Sequence, residues 1–259
     1  MQLSDTQREA WSRDGFLLMP SFLTATDLAA LDGWVTEIAS WPHREDRWMH
    51  HYEQIGDQRR LARSEFLIAF HDGMRRLLTE GAIPDTAAAL LGEPVVLYKE
   101  KINYKHPGGG GYAAHQDAPA YAHASQHITC AIAVDGANAA NGCLAFAPGR
   151  HTRGLIETDD LGCIAPAVAQ GLPWIEVPMR AGDALFFGSY APHRSASNRT
   201  ASPRRNLYLT YNAAADGAHR ETYYRDKRRA LASRGGEESG SVRLSTIGHF
   251  RGKAVQGRD

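Results

Sequence analysis

The sequence predicts a mainly β protein with added helices, folded as a single domain over residues 1–259. Short apolar segments separated by Pro, Gly and Asn-Gly turns fill residues 94–215, a density typical of a β-sandwich or β-barrel. Residues 1–93 show mainly helical spacing, and residues 216–259 resemble a helix followed by a polar tail. With 43% hydrophobic residues, a chain of this length buries one sizeable core.

The N-terminal part is predicted to contain helices and one short strand. Ser4 is a candidate N-cap because Gln7 follows three residues later, and Gly15 ends this first helix. Apolar residues at helical spacing predict the next helix. The predicted helices cover residues 4–11, 24–39, 62–78 and 84–91, and the predicted strand covers residues 16–19.

The central part is predicted to form the β core. Its strands are predicted over residues 95–103, 112–117, 127–134, 143–147, 174–179, 184–187 and 206–212. The pattern shows no internal repeat and no βαβ rhythm, which disfavours a parallel sheet. The tail after Ser233 is expected to be loose, or to dock only through Ile247 and Phe250.

The charge balance and the cysteine content limit the kinds of binding partner and the cellular compartment that we expect. Lys plus Arg and Asp plus Glu both number 29, so nothing indicates nucleic acid or an acidic membrane surface as a partner. The three cysteines, Cys130, Cys143 and Cys163, have no CxxC spacing and are expected to be reduced thiols. No apolar run has membrane-spanning length, and the start is polar. We therefore expect a soluble cytoplasmic protein, as a monomer or homodimer.

Two histidines and one carboxylate form a candidate metal site. His115 and Asp117 are two residues apart on a predicted strand, so both side chains point to the same side. His193, directly after another strand, is the candidate third ligand. Neutral imidazole and carboxylate suit Fe(II), and three protein ligands leave positions for a co-substrate and O2. The alternative is that these polar residues are solvated; similar His-x-Glu pairs begin at residues 43, 51 and 219 in segments predicted to be helical or irregular.

Arg204 is a candidate anion-binding residue. It shares one face of a predicted strand with Asn206, Tyr208 and Thr210. A guanidinium pairs with a carboxylate through two hydrogen bonds, and a buried arginine needs such an anionic partner. Arg205, on the opposite face, is the rival for this role, and a solvated basic cluster is the alternative for both.

These residues, in this order, resemble the phytanoyl-CoA dioxygenase family of Fe(II)/2-oxoglutarate oxygenases. The likeness covers most of residues 5–212 and is carried by HQD at 115–117, NGCLAFAPGRH at 141–151 and APHRSASNRTASPRR at 191–205. The resemblance implies a double-stranded β-helix core, of the jelly-roll or cupin type, with N-terminal helices. It also implies that His115, Asp117 and His193 bind iron and that Arg204 binds 2-oxoglutarate.

The resemblance further implies a reaction and more site residues. The expected activity is that of a 2-oxoglutarate-dependent non-haem iron dioxygenase, which uses Fe(II), 2-oxoglutarate and O2. It would hydroxylate a metabolite or natural-product intermediate and release succinate and CO2. Further expected 2-oxoglutarate contacts are Lys99, Asn103 and Thr129. Expected substrate contacts are Tyr121, His127, Tyr208, Trp48 and His50.

Several alternatives stay open from the sequence. The lysines of residues 99–105 also suit an exposed edge strand, and the aromatic residues also suit core packing. The family accepts acyl thioesters, amino acids, phosphonates, alkaloids and polyketides, so the substrate is undetermined. The same iron site would also serve desaturation, cyclisation or epimerisation. A β-barrel binding or sensor protein with a non-catalytic metal site is the non-enzymatic alternative, whereas an all-helical dinuclear phosphohydrolase does not fit the strand-rich centre.

Overall fold

The computed structural model describes residues 3–44, 46–121, 123–159, 162–232, 249–250 and 253–254. Its core strands are β1 (Phe16–Met19), β2 (Met49–Ile55), β3 (Gln58–Glu65), β4 (Val95–Lys105), β5 (Tyr112–His115), β6 (His127–Ala133), β7 (Leu144–Phe146), β8 (Ile175–Val177), β9 (Ala184–Gly188), β10 (His193–Ser195) and β11 (Arg204–Ala213). They form two antiparallel sheets, one in the order β1-β9-β6-β11-β4-β3-β2 and the other in the order β5-β10-β7-β8. This pair of sheets is the double-stranded β-helix that the resemblance implied. Two further strands, β12 (His249–Phe250) and β13 (Lys253–Ala254), pair with each other.

The helices lie mainly at the two ends of the chain. They are α1 (Asp5–Asp14), α2 (Ala25–Ala39), α3 (Asp72–Thr79), α4 (Ala82–Leu91), α5 (Pro166–Gln170) and α6 (Arg220–Ala232). The predicted capping box is confirmed, because the Ser4 hydroxyl accepts from the Gln7 N–H (3.2 Å) and the Gln7 side chain accepts from the Ser4 N–H (2.9 Å). Among the described residues, none of the helices combines the length and apolar character needed to cross a bilayer.

The main hydrophobic core lies between the seven-stranded sheet and helices α2, α3 and α4. Strand β11 shows why the sheet has two different faces. Leu207 and Leu209 belong to this core with Leu31 and Ile38, whereas Arg204 lies on the alternate face of the strand. Burial of the apolar face drives the packing of the helices and leaves the polar face directed at the second sheet.

The predicted helix over residues 62–78 is wrong over its first part, which includes the end of strand β3, and is confirmed from Asp72 onward. Strands β2 and β3 form a hairpin there, and α3 begins only at Asp72. Arg63 and Glu65 pair across to β4, opposite Asn103 and Lys101, so non-local sheet pairing overrides the helical preference of this segment. Because β3 covers that side of β4, the lysines of β4 do not protect an exposed edge.

The end of β5, the C-terminal tail and the cysteines can also be compared with the sequence-based predictions. The predicted strand over residues 112–117 ends at His115, since Asp117 has helical backbone angles. Ile247 lies outside the described residues, and of Phe250 only the strand β12 is described. The three cysteines are free and buried.

Candidate active site

The three predicted metal ligands meet where β5 ends and β10 begins. His193 is the register partner of His115, which places the two imidazole rings 4.2 Å apart between centroids. Asp117 joins them from the turn after β5, with its Oδ1 at 3.9 Å from His115 Nε2. One ligand atom from each residue lies within 4.8 Å of the others. Sheet pairing thus joins two residues that are far apart in sequence.

The turn that carries Asp117 is fixed by its neighbours. The side-chain amide of Gln116 donates to the carbonyls of Tyr190 (2.8 Å) and Gly154 (3.0 Å). The Ala118 N–H donates to the Ser189 carbonyl at 2.9 Å. These bonds hold the backbone on both sides of Asp117. They therefore position its carboxylate although Asp117 lies outside strand β5.

Backbone carbonyls orient both histidines. His115 Nδ1 lies 2.7 Å from the Ala113 carbonyl, and His193 Nδ1 lies 3.0 Å from the Ala191 carbonyl. Because a carbonyl only accepts, each Nδ1 carries the proton and each Nε2 keeps its lone pair for a metal. Phe187 packs against the His193 ring at 4.9 Å between centroids and fixes its orientation.

The electrostatics of the three ligands suit a cation. Burial, followed by the neighbouring His193, lowers the pKa of His115 to about 3, and burial also lowers the pKa of His193. Burial acts to raise the pKa of Asp117, but the nearby charges, Lys99 first among them, outweigh it and hold that pKa well below its usual range. Two neutral imidazoles and one ionised carboxylate are the donor set that Fe(II) takes in oxygenases, so these residues fit the metal.

A cavity between the two sheets opens beside these ligands. Its lining is formed by Lys99, Lys101, Asn103, Tyr112, His115, Asp117, Tyr121, Thr129, Leu144, Phe187, His193, Tyr208 and Thr210. The predicted 2-oxoglutarate contacts Lys99, Asn103 and Thr129 are therefore at the cavity, as are the predicted substrate contacts Tyr121 and Tyr208. The Thr129 and Thr210 hydroxyls lie 2.9 Å apart, so each satisfies the other on the cavity floor.

Arg204 lies on the inner face of β11, is only 2% exposed and stands outside the described lining of the cavity. Its Nη2 donates to the Gly142 carbonyl at 2.9 Å. With the Asn206 amide oriented so that its oxygen accepts, Nη1 donates to it at 2.9 Å. The Nε–H has no partner among the described residues, and a buried donor of this kind fits an anionic ligand.

Arg205, the rival for the anion-binding role, is already paired on the outer face. Its Nε and Nη2 donate to the two oxygens of Asp135 at 2.8 and 2.7 Å, and Nη2 also contacts Asp32 at 2.7 Å. A guanidinium held by two carboxylates has little need of another anion. Its placement supports Arg204 as the 2-oxoglutarate residue.

Two lysine side chains reach the cavity without a carboxylate partner among the described residues. Lys99 Nζ lies 4.3 Å from the centroid of the Tyr121 ring, and Lys101 Nζ lies 5.2 Å from that of Tyr208. Among the described residues, neither ammonium group forms an ion pair with a carboxylate. Burial lowers the pKa of Lys99 to about 8 and lowers that of Lys101 well below its usual range. The site role of Lys101 was missed, although it alternates with Lys99 and Asn103 on one face.

A second group missed by the sequence lies on β3. Arg63 Nε donates to Asn103 Oδ1 at 3.2 Å, and Nη2 donates to the Tyr112 hydroxyl at 3.1 Å. Its Nη1 lies 3.3 Å from Glu65 Oε1. Arg63 thus supports two cavity residues from behind. The sequence analysis missed this role because it predicted a helix for the segment that contains Arg63.

Trp48 and His50 are not at the cavity formed by the described residues. Trp48 Nε1 donates to the Pro42 carbonyl at 2.9 Å, and its ring packs 4.4 Å from that of Trp41. His50 Nδ1 lies 2.9 Å from the Ser64 hydroxyl. His50 lies in β2 at the far edge of the large sheet and Trp48 directly precedes this strand, so the substrate role predicted for them has no geometric support.

His127 has an intermediate position. It is absent from the described cavity lining, but its ring lies 4.4 Å from that of Tyr121 and 4.7 Å from that of Tyr98. Its Nε2 is buried and has no hydrogen-bond partner among the described residues. His127 therefore packs behind a cavity residue, and a direct substrate contact stays a prediction.

Comparison with known proteins agrees with this geometry. The sequence model of the phytanoyl-CoA dioxygenase family (PhyH) matches residues 11–206. The chain belongs to the phytanoyl-CoA dioxygenase family. The methylphosphonate hydroxylase of Gimesia maris is 55% identical over 257 residues, which is 98% of either chain. The 2-aminoethylphosphonate dioxygenase of an uncultured bacterium (HF130_AEPn_1) is 36% identical over 226 residues, 86% of either chain.

A solved structure shares the fold of this phytanoyl-CoA dioxygenase family member. EctD from S. alaskensis, solved with 2-oxoglutarate and 5-hydroxyectoine, has a TM-score of 0.72 and 22% identity, covering 83% of this chain and 77% of EctD. The resemblance and the fold class predicted from the sequence are therefore confirmed. The chain is an Fe(II)/2-oxoglutarate-dependent dioxygenase that hydroxylates a small molecule.

Proposed function

We propose that this dioxygenase hydroxylates a small alkylphosphonate, with methylphosphonate as the first candidate. The observation that carries the proposal is the pair of cavity ammonium groups, Lys99 and Lys101, which have no carboxylate partner among the described residues. A phosphonate dianion offers two negative charges and three acceptor oxygens to such a pair. The relatives named for methylphosphonate and 2-aminoethylphosphonate support this substrate class.

The charges around the cavity favour an anion over a neutral substrate. The nearby carboxylates are Asp117, which is a metal ligand, and Glu65, which is held by Arg63 and Lys227. Burial lowers the pKa of both lysines, and a neutral substrate would leave their protonated forms without a counter-charge. A phosphonate neutralises them on binding.

The proposed division of roles follows the geometry. His115, Asp117 and His193 would hold the iron, and Arg204 would bind a carboxylate of 2-oxoglutarate. When bound, these groups supply the oxidising chemistry, with O2 as the oxidant and succinate and CO2 as products. Lys99 and Lys101 would orient the phosphonate so that its alkyl group lies beside the metal ligands. The apolar and aromatic side chains of Leu144, Phe187 and Tyr208 would exclude water from the reacting carbon.

The lining also favours an alkylphosphonate without an amine. Among the described lining residues, Asp117 is the sole carboxylate, and its role as a metal ligand leaves no acceptor for a substrate ammonium group. A 2-aminoethylphosphonate would bring a third ammonium group next to Lys99 and Lys101. We expect its kcat/KM to be lower than that of methylphosphonate by about tenfold or more.

The test is phosphonate-dependent turnover of the purified, Fe(II)-loaded protein. Methylphosphonate should stimulate succinate formation, and phosphorus NMR should show hydroxymethylphosphonate as the product. Lys101→Met should raise the KM for methylphosphonate about tenfold or more and leave the KM for 2-oxoglutarate unchanged. Arg76→Met, at an exposed position of α3, is the matched control. A lack of stimulation by methylphosphonate in the wild type would refute the proposal.

We further propose that the enzyme acts in the cytoplasm. The three cysteines are free and buried, as suits a reducing compartment. Detection of the protein in the soluble cytoplasmic fraction would test this.

The oligomeric state, monomer or homodimer, stays a prediction. Light scattering on the protein as it elutes from a gel-filtration column would decide it.

A further inference from the structure

Helix α6 is anchored directly behind the cavity. Its Tyr224 hydroxyl donates to the Glu100 carbonyl of β4 at 2.6 Å. Its Arg220 Nε donates to the Glu100 side chain at 2.9 Å. Lys227, two turns along the helix, reaches β3 and places its Nζ at 2.5 Å from Glu65 Oε2. The helix therefore contacts β4, which carries both cavity lysines, and its neighbour β3.

Glu65 is the natural partner of Lys101 by position. The two residues are directly opposite each other in the antiparallel pair of β3 and β4. Residues so placed have Cβ atoms about 4.5–5.5 Å apart, and opposite charges there normally attract. Yet no ion pair joins Glu65 to Lys101 within the described part of the chain.

The carboxylate of Glu65 is committed to other groups. Its Oε1 lies 3.3 Å from Arg63 Nη1 and 3.5 Å from His51 Nε2, whereas Oε2 is held by Lys227. The side chain of Glu65 is only 1% exposed, so water does not compete for it. Burial acts to raise the pKa of Glu65, but Lys227, His51 and Arg63 outweigh burial and keep the carboxyl ionised.

We propose that Lys227 is a positioning residue for substrate specificity, because it holds Glu65 and so keeps Lys101 unpaired for an oxyanion. This inference rests on the proposed phosphonate function. If Lys227 loses its charge, Glu65 loses the partner of Oε2, and Lys101 is the cation directly opposite it. A Lys101–Glu65 pair would then remove one of the two positive charges that bind the phosphonate.

Lys227 lies in a part of the chain that the family model does not match. The family match ends at residue 206, so helix α6 lies beyond it. The iron and 2-oxoglutarate residues all lie within the matched region. The charge available to the substrate would then be adjusted by a segment outside the matched region.

The test measures two ligands separately in matched variants. The variants are Lys227→Met, Lys227→Arg, Glu65→Gln and the double variant Lys227→Met/Glu65→Gln, with Arg225→Met on the exposed face of the same helix as control. Steady-state assays give the KM for methylphosphonate and for 2-oxoglutarate. Calorimetry under nitrogen gives the affinity of the protein loaded with Fe(II) and 2-oxoglutarate for inorganic phosphate, an oxyanion that does not react.

Lys227→Met should raise the KM for methylphosphonate and weaken phosphate binding, each about tenfold, with the KM for 2-oxoglutarate within about twofold of wild type. Lys227→Arg and the double variant should return both values towards wild type, since the first keeps the charge and the second removes the competitor. Glu65→Gln alone should bind phosphate at least as tightly as wild type. A purely structural role of Lys227 would not give rescue by the double variant.

Several results would decide against the role of Lys227 or against the proposed substrate. Unchanged phosphonate KM and phosphate affinity in folded Lys227→Met, or a double variant as weak as the single one, would overturn the inference. If Lys227→Met does not fold, weaker phosphate binding by Glu65→Gln than by wild type would overturn it. A wild type without phosphate binding would also overturn it. A wild type that binds phosphate in a Lys227-dependent way but ignores methylphosphonate would support this inference and refute the proposed substrate.

Discussion

Replacement of Arg204 by methionine should abolish tight binding of 2-oxoglutarate with little change in the fold. Methionine keeps the length of the side chain and removes its charge and its donors. The Gly142 carbonyl loses one donor at 2.9 Å but keeps Lys105 Nζ at 3.3 Å, so it is not left unsatisfied. The Asn206 amide oxygen does lose its Nη1 donor at 2.9 Å, which should lower the free energy of unfolding by about 1–3 kcal/mol. The change otherwise acts on the ligand that Arg204 would bind.

The magnitude follows from the hydrogen bonds that the guanidinium can make. A charge-assisted hydrogen bond contributes about 1.5–3 kcal/mol, and a carboxylate can take two from one arginine. Losing about 3 kcal/mol corresponds to an increase of roughly 100-fold in the KM for 2-oxoglutarate. Succinate formation at saturating methylphosphonate and varied 2-oxoglutarate measures it directly.

Arg205→Met is the matched control, since it removes a neighbouring guanidinium of identical chemistry. Arg205 pairs with Asp135 near the surface, where both side chains are roughly a quarter exposed (23% and 29%). Its loss should lower the free energy of unfolding by about 1 kcal/mol and leave the KM for 2-oxoglutarate unchanged. A larger effect on 2-oxoglutarate from Arg205→Met than from Arg204→Met would refute the assignment.

Two further predictions concern the metal ligands and a buried carboxyl group. His115→Ala and Asp117→Ala should abolish iron-dependent succinate formation while circular dichroism shows a folded protein; full activity would remove that residue from the ligand set. Burial raises the pKa of Glu53 to about 7, so the native carboxyl keeps a proton that the unfolded chain releases above pH 4.5. The contribution of Glu53 to the free energy of unfolding should therefore fall by about 2 kcal/mol between pH 5 and pH 8; urea titrations should show this as a difference between wild type and Glu53→Gln that shrinks with pH, whereas the exposed Glu80→Gln should keep the wild-type pH profile.

The candidate metal ligands could be proposed from the sequence because their signal is local and chemically specific. His115 and Asp117 stand two residues apart beside a glycine-rich loop, and His193 precedes Arg204, which shares a strand face with Asn206 and Tyr208. Their convergence, however, depends on the pairing of β5 with β10. Such pairing joins distant segments, so spacing along the chain cannot give it.

The charged residues behind the cavity were not identifiable in the same way. Arg63 and Glu65 lie in a segment whose residue types favour a helix, and only pairing with β4 makes it a strand. The ion pair between Glu65 and Lys227 spans 162 positions of the chain. No short pattern records a contact of this kind, so the surplus charge at Lys101 became apparent only from the structure.

The most direct test of the account is an anaerobic titration of the Fe(II)-loaded protein with 2-oxoglutarate, followed by visible absorption. We predict a weak charge-transfer band that saturates with 2-oxoglutarate in the wild type and is absent from His193→Ala. That result would establish the three ligands and the bound co-substrate together. Iron binding without such a band, or an unchanged band in His193→Ala, would contradict the assigned site.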